Sequence, residues 1–162
     1  MVTQPAHIRL LLMDCDGVLT DGRLYFSNEG EVIKVFHVRD GQGIVSWHAA
    51  GFQSGIISGR AAGSIIHSRA DELGMKYVRT CSSDKVTDFR EIIIQAGVTA
   101  DETAFIGDDI GDLELMRLVG FSVAVADATE EVRTAAAHVT EAKGGQGAVR
   151  EVIDLLLRRR TD

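Results

Sequence analysis

The run Leu10-Leu11-Leu12-Met13-Asp14-Cys15-Asp16-Gly17 constrains this chain more than any other stretch. An apolar segment, Ile8 to Met13, stops abruptly at two carboxylates one residue apart. Unbroken apolar residues of this length read as a strand covered on both faces, the kind found inside a parallel sheet. In open α/β sheets, ligands collect at the carboxyl ends of the strands. The run therefore dictates an architecture and also a place within it where Asp14 and Asp16 face a reaction centre.

The rest of the chain keeps the matching rhythm. Strand signals at Ile8–Asp14, Gln53–Ser58, Met75–Arg79, Thr103–Gly107, Phe121–Ala126 and His138–Thr140 alternate with helical ones. The helical segments are Gly43–Ala50, Ala61–Leu73, Lys85–Ala96, Leu113–Val119, Glu130–Ala137 and Ala148–Arg159. Gly51, Gly74, Gly97 and Gly120 stand where the first four helices should stop. Ser83 or Asp84 is placed to cap the helix that starts at Lys85. One segment breaks the rhythm. Within residues 22–38, two β-rich runs flank Asn28-Glu29-Gly30, a hairpin signal directly after the first strand. The expectation is an α/β chain with a doubly wound, mostly parallel sheet flanked by helices and a β-hairpin insert. All 162 residues are expected in one domain, a length that one core can support.

Charge and cysteine use narrow the function classes. A formal net charge of −7 argues against nucleic acid and against an anionic membrane surface as partners. No apolar run reaches the length of a membrane span. The first residues show no secretion signal, and two cysteines without metal or disulfide spacing point to the reduced cytoplasm. Cys15, between two aspartates, reads as a small buried apolar residue rather than a nucleophile. The five histidines have no metal-ligand spacing.

Four polar features sit at or just after strand ends: Asp14-x-Asp16, Ser58-Gly59-Arg60, Lys85 at a helix start, and Gly107-Asp108-Asp109-Ile110-Gly111-Asp112. Strand ends of a parallel sheet converge, so these groups can meet across the sequence. Several carboxylates at close range raise one another's pKa unless a cation intervenes. Oxygen-only ligands suit Mg2+, which keeps several waters and takes few carboxylates. A hydroxyl, a lysine and loop N–H groups are what hold phosphoryl oxygens, and an aspartate can act as nucleophile.

This motif set, in this order, resembles that of the haloacid dehalogenase superfamily of phosphatases. The resemblance implies Asp14 as nucleophile, and Asp16 as the group that protonates the leaving oxygen and then activates water. It implies that Thr20 helps orient Asp16, that Ser58 and Gly59 bind phosphate, and that Lys85 steadies the nucleophile. It assigns Mg2+ to Asp14, Asp108 and the backbone carbonyl of Asp16, with Asp109 in the outer shell and Asp112 as a support. Asp21-Gly22, the hairpin, Val38-Arg39-Asp40-Gly41-x-Gly43 and Gly144-Gly145-x-Gly147-Ala148-Val149-Arg150 are similar to the capless subfamily. Only about forty residues separate Asp14 from Ser58, too few for a cap domain.

That likeness implies a homotetramer assembled through the hairpin, in which a neighbouring subunit covers the open site. It also implies a sugar-acid phosphate substrate, 3-deoxy-D-manno-octulosonate 8-phosphate, with a nonulosonate 9-phosphate as the alternative. The activity would then serve lipopolysaccharide precursor synthesis. Arg60 and Arg39, with Arg79 and Arg150 behind them, are the candidates for the substrate carboxylate. A receiver-type phospho-accepting domain is the rival of a different class. It would carry its adjacent acid pair after the first strand, whereas Asp108-Asp109 comes late in this chain.

Overall fold

The computed structural model describes residues 7–61 and 63–158, leaving aside the side chain of Val32. Strand β1 (Leu10–Met13) is wholly buried and lies at the middle of the sheet. It is flanked by β4 (Gln53–Ile57) and β6 (Thr103–Gly107). With β5 (Tyr77–Arg79), β7 (Phe121–Ala124) and β8 (His138–Val139), the order is β5-β4-β1-β6-β7-β8. Every neighbouring pair is parallel. Met13 pairs with Ile56 on one side and Ile106 on the other. That register alone brings Asp14, Ser58 and Asp108 out at the same edge.

The hairpin forms its own two-stranded sheet, β2 (Tyr25–Ser27) with β3 (Gly30–Ile33). Residues beyond β3 were expected to continue as strand, and the first helix to begin at Gly43. Instead α1 spans Val38–Ala49. The His37 side chain accepts from the Arg39 N–H, and Asp40 supplies a negative charge to the first turn. Gly41 and Gly43, poor helix formers, thus lie inside a helix. Their value is in tertiary contact: a Cβ on Gly41 would press on Arg69 and Leu73, and one on Gly43 on Arg150 and Ile153.

Helices α2 (Gly63–Leu73), α3 (Lys85–Ala96), α5 (Glu130–Ala135) and α6 (Ala148–Arg158) match the expected segments to within a few residues. Arg159, the expected end of α6, lies outside the described residues, as does Ala62. Asp84 rather than Ser83 caps α3, accepting from the Val86 and Thr87 N–H groups. The expected helix Leu113–Val119 is shorter. A 3-10 turn over Ile110–Asp112 leads into α4 (Leu113–Met116). The turn is tightened because Asp109 and Asp112 side chains bond back to its own backbone.

Trp47, Phe89, Phe105 and the β1 side chains belong to one connected apolar cluster spanning both faces of the sheet. The Trp47 indole N–H is satisfied by the Gln53 carbonyl at 2.8 Å. Because Phe105 is fully buried in the central sheet, Phe105→Ala should lower unfolding free energy by about 3–5 kcal/mol. Ile94, 80% exposed on α3, should tolerate Ile94→Ala within roughly 0.5 kcal/mol. Urea unfolding of the two variants measures the contrast, and similar losses would contradict the assigned core.

Candidate active site

The parallel register delivers three carboxylates and one ammonium to the carboxyl edge of the sheet. Asp14 follows β1, Asp108 follows β6, and Asp112 ends the 3-10 turn after it. Each offers an oxygen within 4.8 Å of the others. Lys85, at the start of α3, donates to Asp14 Oδ2 at 2.8 Å and to Asp112 Oδ1 at 2.7 Å. The other oxygen of Asp112 accepts from the Asp108 N–H at 3.0 Å, while Asp14 Oδ1 accepts from the Cys15 N–H at 2.6 Å. Asp112 thereby ties the lysine to the loop after β6.

Two glycines permit this crowding. Gly17 has φ +86, and a Cβ there would collide with the Asp108 carboxylate. Behind it, a Cβ on Gly144 would strike the Gly17 carbonyl oxygen. The Gly145 N–H donates to the Val18 carbonyl at 2.9 Å, and the Gly144 N–H to Asp127. The glycine-rich loop thus packs against the backbone of the loop after β1. The Thr20 hydroxyl, almost fully buried, accepts from the N–H groups of Gly17 and Gly22 at 3.2 Å each. It shapes the turn that carries Asp16.

The electrostatics follow from three carboxylates sharing one lysine. Burial, reinforced by the Asp112 charge, pushes Asp14 up to about 6, against the pull of Lys85. Burial and the charges of Asp14, Asp112 and Asp109 push Asp108 up to about 8. For Lys85 burial opposes the charge, but Asp14 and Asp112 outweigh it and hold the ammonium above the usual lysine range. Asp108 Oδ1 is buried with no hydrogen-bond partner. An oxygen-only cluster with surplus negative charge and an orphaned carboxylate oxygen is a donor set that fits Mg2+. Burial, with the Asp16 charge beside it, pushes the Cys15 thiol up, which favours its protonated form.

Asp16 stands apart from this cluster. Its Oδ1 accepts from Lys34 Nζ at 2.5 Å, and Lys34 also reaches Glu31 Oε1 at 2.8 Å. The Lys34 side chain is fully buried. Neither Lys34 nor Glu31 stood out in the sequence. A lysine three residues after a glutamate in a hairpin reads as ordinary surface charge, and only the fold turns the pair toward Asp16.

Asp109, expected in the outer shell of the metal, is exposed and its side chain accepts from the Ile110 N–H, outside the converging trio. Ser58 is fully buried at the end of β4, its hydroxyl accepting from the Arg60 N–H at 3.3 Å, and Gly59 is exposed beside it. Arg60 turns to the hairpin, with Nε 3.6 Å from Glu31 and the guanidinium 5.8 Å from the Phe26 ring centroid. A cavity of about 320 Å3 lies there, lined by Phe26, Glu31, Arg60 and Ser64. Arg39 is not gathered with the carboxylates. It lines a different cavity of about 450 Å3 with His138, Gln146, Arg150 and Arg158. Arg79 is engaged by Asp88 and Glu91 of α3.

The sequence pattern of the haloacid dehalogenase-like hydrolases matches residues 78–153. The chain is 43% identical over 157 residues to a 3-deoxy-D-manno-octulosonate 8-phosphate phosphatase of Yersinia pestis, covering 97% of this chain and 83% of that protein. The cobalt-bound form of the Haemophilus influenzae phosphatase superposes with a TM-score of 0.95 at 42% identity, covering 98% of this chain and 89% of that one. The Moraxella catarrhalis enzyme, solved with magnesium, phosphate and the sugar acid, gives 0.93 at 36% identity, covering 99% and 92%.

The raised carboxylates have a measurable consequence. The folded, metal-free chain binds protons at Asp14 and Asp108 that the unfolded chain, with ordinary aspartates near 4, has already released. These groups therefore contribute stability at low pH that is lost as pH rises towards about 8. Mg2+ competes with those protons, so it should raise the melting temperature more at about pH 8 than at about pH 5. In Asp108→Asn the difference should shrink. Thermal melts with Mg2+ or a chelator test this, and a Mg2+ shift independent of pH would count against the shared site.

Proposed function

Because this chain belongs to the haloacid dehalogenase-like hydrolases, alongside the 3-deoxy-D-manno-octulosonate 8-phosphate phosphatases, we propose that it is a Mg2+-dependent phosphoric monoester hydrolase that releases phosphate from that sugar acid. The carrying observation is the division of labour between two neighbouring aspartates. Asp14 is held by Lys85 within the carboxylate cluster, while Asp16 is held away from it.

Asp14 supplies the carboxylate oxygen that attacks phosphorus. As the bond from phosphorus to the sugar oxygen breaks, that oxygen takes a proton from the Asp16 carboxyl, and an aspartyl-phosphate remains. Water then attacks the same phosphorus and gives its proton to Asp16, and the bond to Asp14 breaks to leave phosphate. Lys85 keeps Asp14 in place through both steps. The Ser58 hydroxyl and the Gly59 backbone hold phosphoryl oxygens. Asp14, Asp108 and the Asp16 carbonyl would hold Mg2+, with Asp112 supporting and Asp109 outside the inner ligands. When bound, the ion neutralises the crowded carboxylates and draws charge from the phosphoryl oxygens.

The whole chain serves as one catalytic domain without a cap. Its hairpin exposes Leu24, Tyr25, Phe26, Ile33 and Val35, an apolar surface too small to be stable alone in water. We infer a homotetramer built on the hairpin, with a neighbour covering the site. Arg60, in the cavity below the hairpin, is the candidate for the substrate carboxylate, and Arg39 reaches the substrate only if a neighbour's site lies beside it. Two free thiols, Cys15 and Cys81, accord with a cytoplasmic setting.

Asp14→Asn should cut Mg2+-dependent phosphate release by at least about 10³-fold, as removal of a nucleophile does. A panel of eight-carbon and nine-carbon sugar-acid phosphates reads the substrate, and preference for the nine-carbon acid would move the assignment to the neuraminate-type phosphatases. Phe26→Glu should give a smaller species by light scattering together with weaker binding of the sugar phosphate. Full activity in a monomer would refute closure by a neighbour.

A further inference from the structure

We propose that Lys34, delivered by the hairpin, is the positioning residue for Asp16, and that it selects Asp16 Oδ2 as the oxygen that carries the proton to the leaving group. The proposal rests on the phosphatase reading above. It is carried by which atoms are paired and which are left. Lys34 Nζ takes Oδ1 of Asp16, while Oδ2 is buried without a hydrogen-bond partner. A carboxylate able to rotate would present either oxygen, or swing into the Mg2+ ligands one residue pair away. With Oδ1 fixed from the side of the hairpin, the carboxyl plane is set and the side chain is kept off the trio of Asp14, Asp108 and Asp112.

Lys34 can do this because it is itself constrained. Its stem is fully buried, and Glu31 Oε1 takes a second N–H at 2.8 Å. Glu31 is in turn faced by Arg60, which follows Ser58 and Gly59. The chain of charges Asp16, Lys34, Glu31 and Arg60 therefore clamps the hairpin to the nucleophile loop and the phosphate-binding loop together. In such a row the interior members are costly to strand: removing Lys34 would leave the Asp16 and Glu31 carboxylates, both largely shielded from water, without their shared cation. A hairpin serving only for assembly would not need a fully buried lysine directed at the second aspartate.

Positioning of a proton donor has a signature that general damage lacks. A leaving group that departs readily needs no proton in the transition state, whereas a poor one does. We would measure kcat/KM, which ends at release of the leaving alcohol, for substituted phenyl phosphates of nearly equal size with graded leaving-group acidity. For Lys34→Met, p-nitrophenyl phosphate should fall by less than about threefold, while unsubstituted phenyl phosphate should fall at least about tenfold further. Lys34→Arg, which keeps a donor toward Asp16, should restore part of the difference.

The ratio of the two values does not depend on how much of the variant is folded, and the similar size of the substrates keeps effects of an opened site small. Parallel losses on both substrates, or none on either, would overturn the assignment. Failure of the phosphatase reading would show separately, as absence of Mg2+-dependent turnover in the unsubstituted protein.

Discussion

Repulsion among Asp14, Asp108 and Asp112 is the constraint on which the rest of this structure depends. Three carboxyl oxygens lie within 4.8 Å of one another, a single lysine bonds two of these groups, Asp14 and Asp112, and burial removes much of the water that would screen them. Such a cluster survives folding only by protonation, by the lysine, or by a cation, and each of these leaves a mark. Asp14 and Asp108 are pushed up, Lys85 is held charged, and an oxygen of Asp108 is left without a partner. The scaffold bears this cost at the edge of a sheet whose central strand is wholly buried.

Close backbone approach is the second requirement. Gly17 admits the Asp108 carboxylate on one side and the glycine-rich loop before α6 on the other. That loop is anchored from behind, since the buried Asp40 of α1 accepts from the Arg150 N–H at the start of α6 at 2.9 Å. Burial raises the Asp40 pKa even with backbone N–H groups opposing it. Residues outside the carboxylate cluster thus hold the loop after β1 in shape, by hydrogen bonds to its backbone and by steric limits.

The hairpin reaches the same site from the other side. It carries the exposed apolar side chains, and its base carries Lys34 against Asp16. A strand pair that would be marginal in water gains order from the charge pairs on its inner side. One element thus carries both an exposed apolar surface and the buried lysine that meets Asp16.

Local sequence determined a great deal. The apolar run ending in Asp14 dictated the buried central strand, the alternation of strand and helix signals dictated the doubly wound sheet, and Gly97 and the Ser83-Asp84 pair marked the ends of α3. These are short-range effects: periodic burial, caps, and glycine at positive φ. The candidate carboxylates, Ser58 and Lys85 were legible because each follows a strand end, and parallel pairing brings strand ends together. Tertiary structure alone decided the remainder. It extended α1 through Gly41 and Gly43, because packing against α2 and α6 outweighs their poor helix propensity. It drew Asp112 rather than Asp109 into the cluster, because the tight turn after β6 directs one inward and the other to solvent. It sent Arg39 to a separate cavity and buried Lys34 beside Asp16. The partner of a charged side chain is set by distances across the fold, and no period or spacing along the chain encodes them.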